Sequence, residues 1–215
     1  MKTNNLTEII CIIDKSGSMS SIRDDAVGGF NTFLKDQKQK EGDALITLNL
    51  FDHELYEMYQ GKNIKYADQL TYKSYIPGGM TALNDAIGIT IDKADLRHAN
   101  LEKEETPDNV VVAILTDGME NSSREYSEAH IKRKIRIHED KHNWKFIFLA
   151  ANQDAVITGR GYGIKDDYSI DFDTNKSGMN MSFDVINEAS SRIRAGMDIK
   201  DLKSEMLKKH KKNNE

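Results

Sequence analysis

Asp14-Lys15-Ser16-Gly17-Ser18 puts a carboxylate and two hydroxyls, spaced two residues apart around a glycine, on one short stretch after the apolar run Ile9-Ile10-Cys11-Ile12-Ile13. Such a patch of hard oxygen donors suits Mg²⁺, which takes oxygen ligands in near-octahedral geometry and keeps part of its water. Two later stretches carry related chemistry. Thr81 ends the turn Ile76-Pro77-Gly78-Gly79-Met80-Thr81, and Asp117 stands in Leu115-Thr116-Asp117-Gly118, directly after a second apolar run from Val110. A lone pentapeptide of this kind reads as a polar turn with a helix cap. The question is whether the chain brings the three stretches together.

The elements around them answer in the affirmative. Leu6 to Ile13 reads as a buried strand, since a β-branched run without polar alternation fits a parallel strand covered on both faces. Ser20 or Ser21 is the expected cap of a helix through Ile22, Ala26, Val27, Phe30, Phe33 and Leu34, which recur at helical spacing to about Lys40. Ala44 to Phe51 alternates, with Ile46, Leu48 and Leu50 against Thr47 and Asn49, as expected nearer a sheet edge. Leu55 to Tyr59 then makes an antiparallel hairpin with it. A second helix follows Thr81 through Leu83, Ala86, Ile87, Thr90, Ile91 and Ala94. Val110 to Leu115 is the next buried strand, Ser127 caps a solvated helix to about Glu139, and Trp144 to Ala151 is a third apolar strand. A short helix from Asp154 to Arg160, a short strand from Tyr168 to Phe172 and a closing helix from Ser182 to Arg194 complete the pattern. Strands alternating with helices predict a doubly wound α/β fold, mostly parallel with one antiparallel edge strand. In it Asp14, Thr81 and Asp117 occupy loops at the carboxyl edge of the sheet.

Composition narrows the function classes. The chain has 215 residues and a formal net charge of −5, which argues against a nucleic-acid partner for the domain as a whole. Its one cysteine, Cys11, has no partner for an intramolecular disulfide. The residues after Met1 lead into too short an apolar run for a secretory signal, and no stretch approaches membrane-spanning length, so a cytoplasmic monomer is the expectation.

With these residues in place, the chain resembles the von Willebrand factor A-type (vWA) domain. The family's metal-ion-dependent adhesion site (MIDAS) is written Asp-x-Ser-x-Ser, a distant Thr and a distant Asp commonly followed by Gly. Asp14, Ser16, Ser18, Thr81 and Asp117 fill all five positions. The resemblance spans Leu6 to about Ala195, within a domain of residues 1–196, and leaves residues 197–215 as a basic tail, short helix or disordered. It implies a Rossmann-like vWA fold and a site for Mg²⁺, with Mn²⁺ as a substitute. Ser16 and Ser18 would bind through their hydroxyls, Thr81 directly or through water, and Asp14 and Asp117 chiefly through water. It implies a protein-binding module, not an enzyme, in which an Asp or Glu of a partner protein completes the coordination. Stand-alone members of this kind occur in bacteria and their phages.

Competing motifs carry less. A Mg²⁺-dependent phosphoester hydrolase of the dehalogenase type would need a second Asp at position 16, where Ser stands. His138-Glu139-Asp140-Lys141-His142 matches the zinc-protease pattern by letter, but the helix ends at once and no third ligand follows before Glu188. Gly159-Arg160-Gly161-Tyr162-Gly163 follows a helix rather than a strand and reads as a helix exit. Asp198 is positioned to cap a tail helix with Ile199, Leu202 and Met206 on one face, ending in Lys208-Lys209-His210-Lys211-Lys212.

Overall fold

In the computed structural model, residues 5–151 and 154–213 are described; the extreme N-terminal residues 1–4, residues 152–153 and the last two residues of the tail lie outside them. One six-stranded sheet organises the chain, in the order β3-β2-β1-β4-β5-β6. The strands are β1 (Thr7–Asp14), β2 (Ala44–Phe51), β3 (Leu55–Asn63), β4 (Asn109–Thr116), β5 (Trp144–Ala150) and β6 (Ser169–Asp171). All pairs are parallel except β2 with β3. The helices are α1 (Arg23–Gln39), α2 (Leu83–Ala99), α3 (Glu128–His142), α4 (Ala155–Gly161), α5 (Lys176–Arg194) and α6 (Leu202–Asn213). This is the expected doubly wound architecture with its antiparallel edge strand.

The apolar runs become the central strands because both sheet faces are covered. Ile9 to Ile13 and Val111 to Leu115 are at most 1% exposed. On one face α1 packs against α5, with the Phe30 and Phe183 rings edge to face at 6.3 Å. Gly29 permits that approach, since a Cβ there would lie 2.3 Å from the Phe183 ring. On the other face α2 and α3 pack together, tied by Lys134 and Tyr126 on Asp92.

β2 lies near the edge as expected, second in the order; its Thr47 and Asn49 are buried and bond Glu8 (2.6 Å) and Thr90 (2.8 Å). Three other local expectations give way to tertiary context. Ser20 and Ser21 do not cap α1. They sit in a 3₁₀ turn, Gly17–Ile22, where their hydroxyls donate back to the carbonyls of Gly17 and Ser18. The closing helix starts six residues before Ser182, where Asn175 Oδ1 accepts from Gly178 N (2.9 Å). Gly178 hides that start in the sequence, yet it is required there: a Cβ would meet the Asp173 carbonyl at 2.1 Å. Ser127 caps α3 as expected, and Asp154, expected as the first residue of its helix, stands one residue before α4 as its cap. Beyond α5, α6 packs back against it with Leu202 and Met206 buried, and Ile199, ahead of the helix, is buried too; Asp198 does not cap α6, since its Oδ1 accepts from Ile199 N (2.7 Å) and Lys200 N (3.1 Å) before the helix starts.

At the opposite edge from the carboxyl ends of the strands, Glu8 is fully buried and accepts hydrogen bonds from Thr47, Arg97 (2.5 Å) and His98 (2.7 Å). Burial raises its pKa, but the bonds from His98 and Arg97 and the Arg97 charge outweigh it and hold the carboxyl below its ordinary value. A depressed folded-state pKa contributes stability that is complete above the unfolded value of about 4.5 and is lost as pH falls through the folded value. Glu8→Gln is therefore expected to cost about 2–3 kcal/mol at pH 7 and to flatten the acid limb of the stability curve, as measured by urea unfolding between pH 3 and 7.

Candidate metal centre

The strand order reverses between β1 and β4. From β1 the chain builds outward through β2 and β3, then returns to lay β4 on the other side of β1, with Ile13 beside Leu115. Loops diverge at such a switch point and leave a crevice at the carboxyl ends of the strands. Asp14 is the last residue of β1, and Asp117 directly follows β4. The two predicted carboxylates are thus neighbours because of sheet topology.

Each predicted residue is held by a specific partner. Asp14 is fully buried; one oxygen accepts from Ser16 N (2.6 Å) and the other from Thr116 Oγ1 (2.6 Å). Its main-chain carbonyl accepts from the buried Tyr75 hydroxyl (2.5 Å). Ser16 Oγ lies 3.1 Å from Ser18 Oγ, and Ser18 Oγ donates to Asp117 Oδ1 (2.5 Å). Thr81 joins them through its backbone, which exchanges hydrogen bonds with Asn121: Thr81 N to the side-chain Oδ1 (2.9 Å) and Asn121 N to Thr81 O (3.0 Å). The hydroxyls of Thr81 and Ser18 both border Gly118, where a Cβ would lie 2.9 Å from Thr81 Oγ1 and 3.7 Å from Ser18 Oγ. Glycine keeps that space clear. The five predicted side chains therefore form one cluster. Asp14, Ser16, Thr81 and Asp117 are at most 3% exposed, while Ser18 opens to solvent.

The surrounding loops are wired to hold this arrangement. Gly17 N donates to Gly79 O (3.2 Å) and Gly78 N to Lys15 O (2.8 Å), which seats the turn bearing Thr81 on the first loop. Gly79, at φ +73°, is a position where a side chain would be strained and would also meet the His53 ring. Glu120 accepts from the backbones of Asn84, Ser122 and Ser123, and Asp85 from those of Arg124, Glu125 and Tyr126. The segment after Asp117 is thereby fixed to the first turn of α2. Thr116, Tyr75, Asn121, Glu120 and Asp85 were not singled out in the sequence, and only Thr116, adjacent to Asp117, carried a local hint.

Burial dominates the electrostatics of the two carboxylates. Burial pushes the Asp14 carboxyl up to about 6, against the bonds from Thr116 and Ser16, with Asp117 adding to the rise. Burial also raises Asp117 against its bond from Ser18. Two carboxylates and three hydroxyls, with no sulfur or imidazole, make a donor set that fits a hard divalent cation of the Mg²⁺ or Mn²⁺ type. The His138 region offers no second centre. Its ring nitrogens face Lys134 O (2.7 Å) and Asp95 Oδ1 (2.8 Å), and no group of three or more His, Cys, Asp or Glu among the described residues is arranged to hold a metal.

Comparison with solved structures places this architecture among vWA-type folds. The chain is similar to the vWF domain of the type V pili tip protein Mfa5 from Porphyromonas gingivalis (TM-score 0.62, 10% identity, 91% of this chain and 97% of that one). It is similar also to the manganese-loaded Plasmodium vivax TRAP protein (TM-score 0.56, 14% identity, 83% and 72%). A third is proximal thread matrix protein 1 from the mussel byssus with a zinc-occupied MIDAS motif (TM-score 0.55, 13% identity, 87% and 46%). The chain spans less than half the length of several structures that it matches. At these identities the likeness establishes the fold. No protein-family model and no curated protein matches the sequence. No helix among the described residues is long and apolar enough to cross a membrane.

Asp14→Asn tests the uncompensated charge. An amide at this site can still accept from Ser16 N and donate to Thr116 Oγ1, whose own hydroxyl then donates to Gly118 O (3.0 Å). In chelator at pH 7 the substitution is expected to raise stability by about 1–3 kcal/mol, read from denaturant midpoints; an equal or lower midpoint would refute the electrostatic picture.

Proposed function

We propose that this chain is a divalent-cation-dependent protein-binding module. Ser16, Ser18 and Thr81, with Asp14 and Asp117, hold Mg²⁺, for which Mn²⁺ can substitute, and an Asp or Glu of a partner protein completes the site. The observation that carries this reading is the convergence of the Thr81 and Ser18 hydroxyls on Gly118, with Ser16 Oγ beside Ser18 Oγ, next to two buried carboxylates at the β1/β4 switch point. A bound divalent cation would supply one coordination position for a carboxylate from outside. The chain's part is to present the Ser18 hydroxyl at the opening, while the buried Asp14 and Asp117 contribute negative charge. The vWA-type fold, and the metal-occupied MIDAS named for one of its structural neighbours, support the assignment.

A phosphoester hydrolase would need cations of the chain facing the reacting phosphate. Lys15, the one basic residue in Asp14-Lys15-Ser16-Gly17-Ser18, is paired with Asp52, and Arg23 is engaged by the carbonyls of Tyr72 and Tyr75. Both arrangements favour binding over turnover.

Mg²⁺ or Mn²⁺ is expected to stabilise the wild-type protein by about 2.7 kcal/mol at a concentration 100 times its Kd. Ser16→Ala and Gly118→Ala should each weaken cation affinity about tenfold or more, in calorimetric titration, while leaving the fold intact in chelator. Absence of any cation-dependent stabilisation of the wild type would dispose of the reading.

A further inference from the structure

Lys15 lies between two of the proposed ligands, yet its side chain leaves the site. It is 9% exposed; its ammonium pairs with Asp52 Oδ2 and sits 3.9 Å from the centre of the Tyr56 ring. Asp52 is equally committed. It is 3% exposed, its Oδ1 accepts from Glu54 N (3.0 Å) and lies 3.1 Å from His53 Nδ1, and its main-chain carbonyl accepts from Ala82 N (2.7 Å). The pair thus joins the loop bearing Ser16 and Ser18 to the residue after Thr81.

The consequence is electrostatic as well as mechanical. A lysine ammonium is a compact charge on a flexible stem, and the Lys15 backbone stands directly between Asp14 and Ser16, at the crevice where the Asp14 and Asp117 carboxylates are buried. An ammonium released into that crevice would neutralise the carboxylates that a divalent cation needs. We infer that Asp52 is a positioning residue that holds Lys15 off the metal centre, so that the chain does not fill its own site with an internal cation. This inference rests on the metal-binding reading above.

A double-mutant cycle on Asp52→Asn and Lys15→Met, read as Mn²⁺ affinity by calorimetry in the full chain, tests it. Asn keeps the oxygen that Glu54 N requires, and circular dichroism checks folding of each variant. Asp52→Asn is expected to weaken Mn²⁺ binding about tenfold when Lys15 is present, but less than about threefold in the Lys15→Met background. Denaturant midpoints in chelator, measured on the same variants, separate this from loss of the ion pair's structural support: recovery of Mn²⁺ affinity in the Lys15→Met background that merely tracks recovery of the midpoint would also overturn the inference. An equal loss in both backgrounds would overturn the inference, because simple loss of the Asp52 charge acts additively. If the wild type itself takes up no Mn²⁺, the metal-binding reading falls first, and the inference with it.

Discussion

The arrangement of this molecule depends on the burial of two carboxylates side by side at the ends of adjacent strands. Asp14 and Asp117 come together because β1 and β4 pair in parallel at the point where the strand order reverses. Taking such groups out of water is unfavourable without compensation, and hydrogen bonds from Ser16, Thr116 and Ser18 offset only part of it. The raised pKa values of both groups are the residue of that imbalance. Under the proposed metal-binding reading, a cation from solution would offset what these bonds leave uncompensated.

Pre-organisation is the second theme. The three loops that meet at the crevice are tied to one another by backbone hydrogen bonds, Gly17 to Gly79, Gly78 to Lys15 and Asn121 to Thr81, rather than by exposed side-chain contacts. Below them Glu120 and Asp85 each gather several backbone amides. Donors fixed in this way need little rearrangement when a ligand arrives, so less of the interaction free energy is lost to ordering the loops. The polar anchor at the other end of the sheet, Glu8 with Arg97 and His98, fixes β1 and α2 from below.

Much of this was legible in the sequence, for physical reasons. Ile9 to Ile13 and Val110 to Leu115 announce central strands because both faces are covered, and Asp14 and Asp117 follow them directly. Ser127 was recognisable as a cap because its role is local. The misreadings arise where tertiary partners replace local ones. Ser20 and Ser21 look like caps until a 3₁₀ turn redirects their hydroxyls. Tyr75, Asn121 and the Lys15–Asp52 pair could not be read at all, since each acts on residues tens of positions away that only the sheet order makes adjacent.

The two edges of the sheet bear on how any partner can approach. β6 has only three residues, and the Lys203 ammonium from α6 takes up the Ser169 carbonyl (2.6 Å) and reaches that of Asp166 (3.1 Å). At the far side, β3 carries Gly61 at φ +52° and slips register twice against β2. A short, lysine-guarded strand at one end and an irregular, twisted one at the other are poor templates for strand addition. The sheet is thereby closed to edge-to-edge growth, and self-association of the amyloid or strand-swapped kind is disfavoured by the backbone itself.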